Sequence, residues 1–203
     1  RILANLQQAQ ASAERIIDLI ETEPEIKDTP EVIEKYGDIL NPKRENWEEL
    51  KGDIEFDNVS FAYINEEYIL KDFSLKIPAG SSVALVGATG SGKSTIVNLI
   101  CRFYEPTTGV IKIDGKDYKE RSIGWLHENL GYVLQTPHLF NGTIKENIRY
   151  GRLDATDEEV YAAAKAVSAD EFINELDKGY ETNVGEGGSK LSLGQRQLIS
   201  FAR

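Results

Sequence analysis

The sequence predicts an α/β fold. A strand, a glycine loop and a helix form its core, with an antiparallel β part and a helical part around it, preceded by an N-terminal helix and a linker. Three observations carry this. Gly87-Ala88-Thr89-Gly90-Ser91-Gly92-Lys93-Ser94 matches the phosphate-loop pattern G-x-x-x-x-G-K-[ST] in full. Short runs of alternating apolar residues lie between 54 and 113, the period of half-buried strands. From Phe140 onward the period becomes helical, and paired cap residues announce successive helices.

Each element has its own signal. Leu3, Leu6, Ala13, Ile16, Ile17 and Ile20 form a helical stripe that stops before Pro24, with Gln7, Gln8, Gln10, Glu14 and Arg15 on the other face. Residues 24–51 are acidic and broken by Pro24, Pro30, Gly37 and Pro42. They read as a linker or a loosely packed wrap whose charge is a solvated face. Ile54-Phe56 and Val59-Phe61 read as strands, with Asp57-Asn58 breaking the register between them. Phe73-Leu75-Ile77 alternates again and ends at the turn Pro78-Ala79-Gly80. Val83-Ala84-Leu85-Val86 reads as a buried strand entering the glycine loop, and Ile96, Val97, Ile100 and Phe103 recur at helical spacing after it. Val110–Ile113 is a further strand ending at Asp114-Gly115, and Gly131-Tyr132-Val133-Leu134-Gln135 is a short apolar strand ending in an amide. Thr143 with Glu146, Thr156 with Glu159, Ser168 with Glu171, and Ser192 with Gln195 fit capping boxes, while Gly179 suits a helix C-cap.

Strand, loop and helix together aim successive backbone N–H groups and a helix N-terminus at one spot, which attracts phosphate. Glycine is needed there because a Cβ blocks unusual φ values and close approach. Gly87, Thr89, Gly90, Ser91, Gly92, Lys93, Ser94 and Thr95 are therefore the candidate nucleotide-contacting residues of a P-loop NTPase core. Lys93 reaches the β- and γ-phosphates, and the Ser94 hydroxyl suits Mg²⁺.

Three further stretches, in this order and spacing, resemble the ATP-binding domain of ABC transporters: Val59-Ser60-Phe61-Ala62-Tyr63, Gly131–Gln135, and Leu191-Ser192-Leu193-Gly194-Gln195-Arg196-Gln197. Thr182-Asn183-Val184-Gly185-Glu186-Gly187 is similar to the loop before the signature in ABC exporters. The resemblance covers nearly the whole chain. It implies that Tyr63 stacks on adenine and that Gln135 contacts Mg²⁺ or the attacking water, acting with Lys93 in catalysis. It implies that Ser192, Gly194 and Gln195 belong to a signature that grips the γ-phosphate of ATP held by a second subunit, identical or different. The family usually has two adjacent glycines where Leu193-Gly194 stands, so the packing beside that contact departs from the pattern. By the same resemblance, residues 1–23 are the cytosolic end of a transmembrane-domain helix, 52–203 are the ATP-binding domain, and about 137–203 are its helical subdomain. Walker B, the D-loop and the switch histidine are expected beyond Arg203, and the isolated polypeptide is expected to bind Mg-ATP weakly with little hydrolysis. The implied function is ATP-driven solute export at the cytoplasmic face of the cell membrane, beside a transmembrane domain of the same protein.

Composition bounds the alternatives. A net charge of −11 disfavours a nucleic-acid partner, and with it the soluble ABC-type ATPases of DNA repair, which insert a long coiled coil between the Gln135 and Ser192 positions. Importer subunits usually lack a fused N-terminal helix such as the 3–20 stripe. No apolar run approaches the ~20 residues that span a bilayer. There is no Met, and so no initiator. Cys101 is the only cysteine and reads as a reduced, packed thiol. His127 and His138 match no family position and read as surface or packing residues.

Overall fold

The structure, a computed structural model, describes residues 2–64 and 67–203; the side chains of 2–9 and 11, and with them the Leu3 and Leu6 part of the N-terminal stripe, lie outside the description. The chain divides into two compact units, residues 1–130 and 131–203.

In the first unit, α1 (Ile2–Glu21) is the helix that the stripe predicts. Ile16, Ile17, Leu19 and Ile20 on it are exposed. No helix among the described residues is long and apolar enough to cross a membrane. A four-stranded antiparallel sheet follows, with spatial order β2-β1-β3-β4. Its strands are β1 (Ile54–Ala62), β2 (Tyr68–Ile77), β3 (Thr108–Ile113) and β4 (Lys116–Asp117). The two strands expected at 54–56 and 59–61 are one bulged strand. Register slips between Phe56 and Val59, where Asn58 takes φ +49°. Gly109, at φ +83°, faces this bulge, and a Cβ there would overlap the Asn58 carbonyl oxygen. Asp114 and Gly115, both at positive φ, close the β3–β4 hairpin. Phe56, Val59, Ile111 and Ile113 on the sheet pack with Leu99 of α3 (Lys93–Ile100) and with Trp125 of α4 (Ile123–Glu128).

Two expected strands do not form. Residues 83–86 are irregular, with Val83 and Val86 51% and 93% exposed. Residues 131–135 are irregular too, and Tyr132, Val133 and Leu134 are exposed. A buried parallel strand needs hydrogen-bonded neighbours. Among the described residues no strand pairs with either run, and an apolar sequence alone does not hold an extended backbone.

The segment 24–51 is packed more firmly than a solvated linker. Thr29 caps α2 (Pro30–Tyr36), whose Val32 and Tyr36 are buried. Asp28, 7% exposed, pairs with Arg102, 2% exposed, at 3.0 Å and accepts from the Ile123 N–H. Glu48 pairs with the buried Arg121 at 2.8 Å, and its carbonyl accepts from the Trp125 indole. Asp28 is thus a buried partner of a guanidinium that lacks water, while Glu48 stays partly exposed and Glu25, Glu31, Glu34, Asp38, Glu45 and Glu49 are exposed.

Cys101 is buried, and burial pushes its thiol pKa up. His127 is exposed, with Nε2 2.9 Å from the Cys101 carbonyl oxygen, and His138 is exposed against Phe140. Because thiolate is the reacting form, iodoacetamide at neutral pH is expected to label Cys101 at least about tenfold more slowly in the folded chain than in urea. Equal rates by mass spectrometry would contradict the packing.

The second unit is helical: α5 (Ile144–Arg149), α6 (Asp157–Ala166), α7 (Ala169–Glu175) and α8 (Leu193–Ala202). Ile144, Ile148, Val160, Ile173, Val184 and Ile199 form its core. Capping boxes start α5, α6 and α8 as the sequence predicts. At α5, the Thr143 N–H bonded to Glu146 holds that carboxyl below its usual range. Ser168 makes no cap: it sits at φ +57° in the tight turn out of α6, and its hydroxyl does not bond the first turn of α7. Gly179 is not the C-cap either. α7 ends at Glu175, and Gly179 opens a 3-10 turn at 179–181.

Candidate functional site

The site grows from the start of α3. Its N-cap is Gly92 at φ +85°, which offers no side chain to the first-turn N–H groups. In contrast, α5, α6 and α8 cap themselves with a hydroxyl. The first turn of α3 thus keeps donors and the positive end of its dipole for an external acceptor. The loop before it folds tightly. A Cβ on Gly87 would lie 2.6 Å from Ser91 Oγ, so a side chain there would force the Ser91 hydroxyl to move. Lys93 Nζ donates to the carbonyls of Gly87 at 2.8 Å and Ala88 at 2.7 Å. The ammonium is thereby held across the loop mouth. Ile69, Thr89, Gly90, Gly92, Lys93, Ser94 and Thr95 line a cavity of about 260 Å³.

Tyr63 joins this cradle. The residue is 40% exposed, its hydroxyl donates to Thr95 Oγ1 at 3.2 Å, and Asn98 Nδ2 donates to it at 3.4 Å. An aromatic surface and a phosphate-type cradle are thus joined through the helix that follows the loop. Ile69 and Asn98 were not among the candidates read from sequence. Asn98 lies one helical turn after Thr95, and that spacing was a usable signal. Ile69 carries none, since it arrives from β2.

Gln135 is exposed in the irregular segment that opens the second unit. Ser192 is the N-cap of α8: its Oγ accepts from the Gln195 N–H at 3.2 Å, and Gln195 Oε1 accepts from the Ser192 N–H at 2.9 Å. The hydroxyl hydrogen of Ser192 remains a donor. Gly194 is exposed, and a Cβ there would meet open space. Leu193 is 56% exposed beside it. Among the described residues no three His, Cys, Asp or Glu side chains gather to hold a metal ion.

A family model described as "ABC transporter" matches residues 70–203. The chain is 47% identical, over its whole length and 32% of the relative's, to an uncharacterized ABC transporter ATP-binding protein, YknV, of Bacillus subtilis (strain 168). It is 44% identical, over its whole length and 33% of the relative's, to an ATP-dependent lipid A-core flippase of Desulfotalea psychrophila (strain LSv54 / DSM 12343). A solved bacterial Atm1-family ABC exporter with ATP bound superposes with a TM-score of 0.81 at 39% identity, covering 99% of this chain and 33% of that one. The chain thus spans about a third of the length of these relatives. With a self-closing glycine loop, an uncapped helix behind it and a match across two-thirds of its residues, this chain belongs to the ABC transporter family, as a partial nucleotide-binding domain with the ABC-ATPase fold.

Proposed function

We propose that the chain is the ATP-binding part of an exporter that couples ATP binding and hydrolysis to solute transport across a membrane. The observation that carries this is the cradle itself, with Lys93 spanning Gly87 and Ala88 and Tyr63 tied to Thr95 on the same helix. The relatives, a lipid A-core flippase and an Atm1-family exporter, favour export. In this reading Gly87, Thr89, Gly90 and Gly92 offer backbone N–H groups to the phosphates, Ser91, whose N–H donates to the Ala88 carbonyl at 3.2 Å, shapes the same loop, and Lys93 neutralises the phosphates. Thr95 lies nearest the base end, because it holds Tyr63.

Mg²⁺ fits this cradle through Ser94, an exposed hydroxyl lining the cavity. Mg²⁺ is commonly held by substrate phosphates and few protein ligands. When bound, it neutralises charge on the β- and γ-phosphates. Gln135 is the second candidate ligand and orients the attacking water. Residues 1–23 continue from a transmembrane domain of the same polypeptide, 24–51 connect it to the ATP-binding domain at 52–203, and about 137–203 act as a helical arm. The assembly lies at the cytoplasmic face of the membrane.

Two such domains close on ATP, with Ser192, Gly194 and Gln195 of one acting on the nucleotide held by Lys93 of the other. A helix N-terminus offering a hydroxyl and a bare N–H suits a γ-phosphate. The test mixes complete Ser192→Ala and Lys93→Ala subunits, each inactive alone. In trans, both changes fall on one composite site and leave the other intact, so partial ATPase recovery is expected. No recovery from a confirmed mixed dimer, with nucleotide trapped at neither site, would contradict the sandwich.

Base–aromatic stacking is worth about 1–3 kcal/mol, so Tyr63→Ala is expected to weaken ATP binding about five- to 150-fold, with Phe or Trp keeping most of it. Calorimetry that finds the Ala variant equal to the parent would make the ring structural.

A further inference from the structure

Tyr63 lies just past the end of β1, and its ring is held from three sides. Phe61 and Tyr104 stand nearly perpendicular to it, each with its centroid 4.8 Å away. Its hydroxyl engages Thr95 and Asn98. Phe61 belongs to the sheet and Thr95 to α3. Tyr104 comes from the turn after α3, and that turn is pinned. Arg102 sits at φ +54° with its guanidinium on Asp28 and Glu105, and the Tyr104 carbonyl accepts from Tyr118 Oη at 3.4 Å. Tyr104 therefore rises from a pinned backbone, and its ring packs on Phe61 at 5.7 Å as well as on Tyr63 at 4.8 Å.

We propose that Tyr104 is a positioning residue for nucleotide binding: its ring holds that of Tyr63 in the orientation that presents the exposed surface of Tyr63 to a purine base beside the phosphate loop. This rests on the reading that Tyr63 receives the base. A ring that is already held loses less rotamer freedom when a base stacks on it. The phosphate loop has no direct share in the Tyr63–Tyr104 contact. Loss of Tyr104 should therefore be felt by a nucleotide and not by a ligand made of phosphates alone.

The experiment titrates the complete polypeptide with Mg-ATP and with inorganic tripolyphosphate. Tyr104→Leu is expected to weaken ATP about two- to tenfold, the range set by the strength of edge-to-face aromatic pairs, and to leave tripolyphosphate unchanged. Tyr104→Phe, which keeps the ring, restores most of the lost affinity. In a Tyr63→Ala background, Tyr104→Leu has no further effect on ATP. Equal loss of both ligands, no loss of either, or full additivity with Tyr63→Ala overturns the proposal. If Tyr63→Ala itself binds ATP like the parent, the base reading and the proposal fall together. If Tyr63→Ala weakens ATP and Tyr104→Leu does not, only the proposal falls.

Discussion

Lys93→Ala is expected to lower Mg-ATP affinity by about 10- to 150-fold, since hydrogen bonds to charged groups are worth about 1.5–3 kcal/mol. Two effects act in the same direction. The substitution removes the only ammonium lining the described cavity. It also removes the bridge from Nζ to the Gly87 and Ala88 carbonyls, so the loop loses the tie that holds its mouth in shape. Lys93→Arg keeps the charge but carries a planar fork in place of a compact ammonium. It is expected to recover only part of the affinity. Titration calorimetry on the two variants measures this directly, and parental affinity in Lys93→Ala would remove the loop from the binding site.

The second large effect falls on stability. Arg102→Ala is expected to destabilise the first unit by about 3–5 kcal/mol, the cost of removing one partner from a buried ion pair. Arg102 and Asp28 are 2% and 7% exposed, so water cannot replace the lost guanidinium. Asp28 would keep only the Ile123 N–H, and the Arg121 carbonyl and Glu105 would each lose a donor. Whole domains have only ~5–15 kcal/mol in hand, so the loss is a large part of the total. Urea unfolding of the parent and of Arg102→Ala and Asp28→Asn tests it. Midpoints shifted by less than the equivalent of about 1 kcal/mol, the range of exposed pairs, would mean that the contact behaves as a surface pair.

What was legible in the sequence was local. The phosphate loop is contiguous, and its glycines, lysine and hydroxyl fall within eight residues, so motif and geometry agree. The antiparallel strands alternate visibly, and three of four capping boxes formed, because a box needs only residues three apart. Ser168 failed for a reason its own spacing does not reveal: the turn out of α6 demanded a left-handed residue. Distance in sequence hid the rest. Asp28 meets Arg102 across 74 residues and Glu48 meets Arg121 across 73, so two members of an otherwise exposed acidic stretch pair with buried guanidinium groups. The runs 83–86 and 131–135 have strand composition without strand partners among the described residues. Tyr63 was named a candidate through the resemblance, but its contacts with Thr95, Asn98 and Tyr104 follow from folding alone.

The most direct test of a nucleotide seated on this loop with its base against Tyr63 is photolabelling of the complete polypeptide with 8-azido-ATP, mapped by mass spectrometry. The expected result is a label on the peptide containing Tyr63, suppressed by excess ATP and lost in Lys93→Ala. A protectable label confined to peptides containing neither Tyr63, Ile69 nor residues 87–95, or one indifferent to Lys93, would contradict that placement.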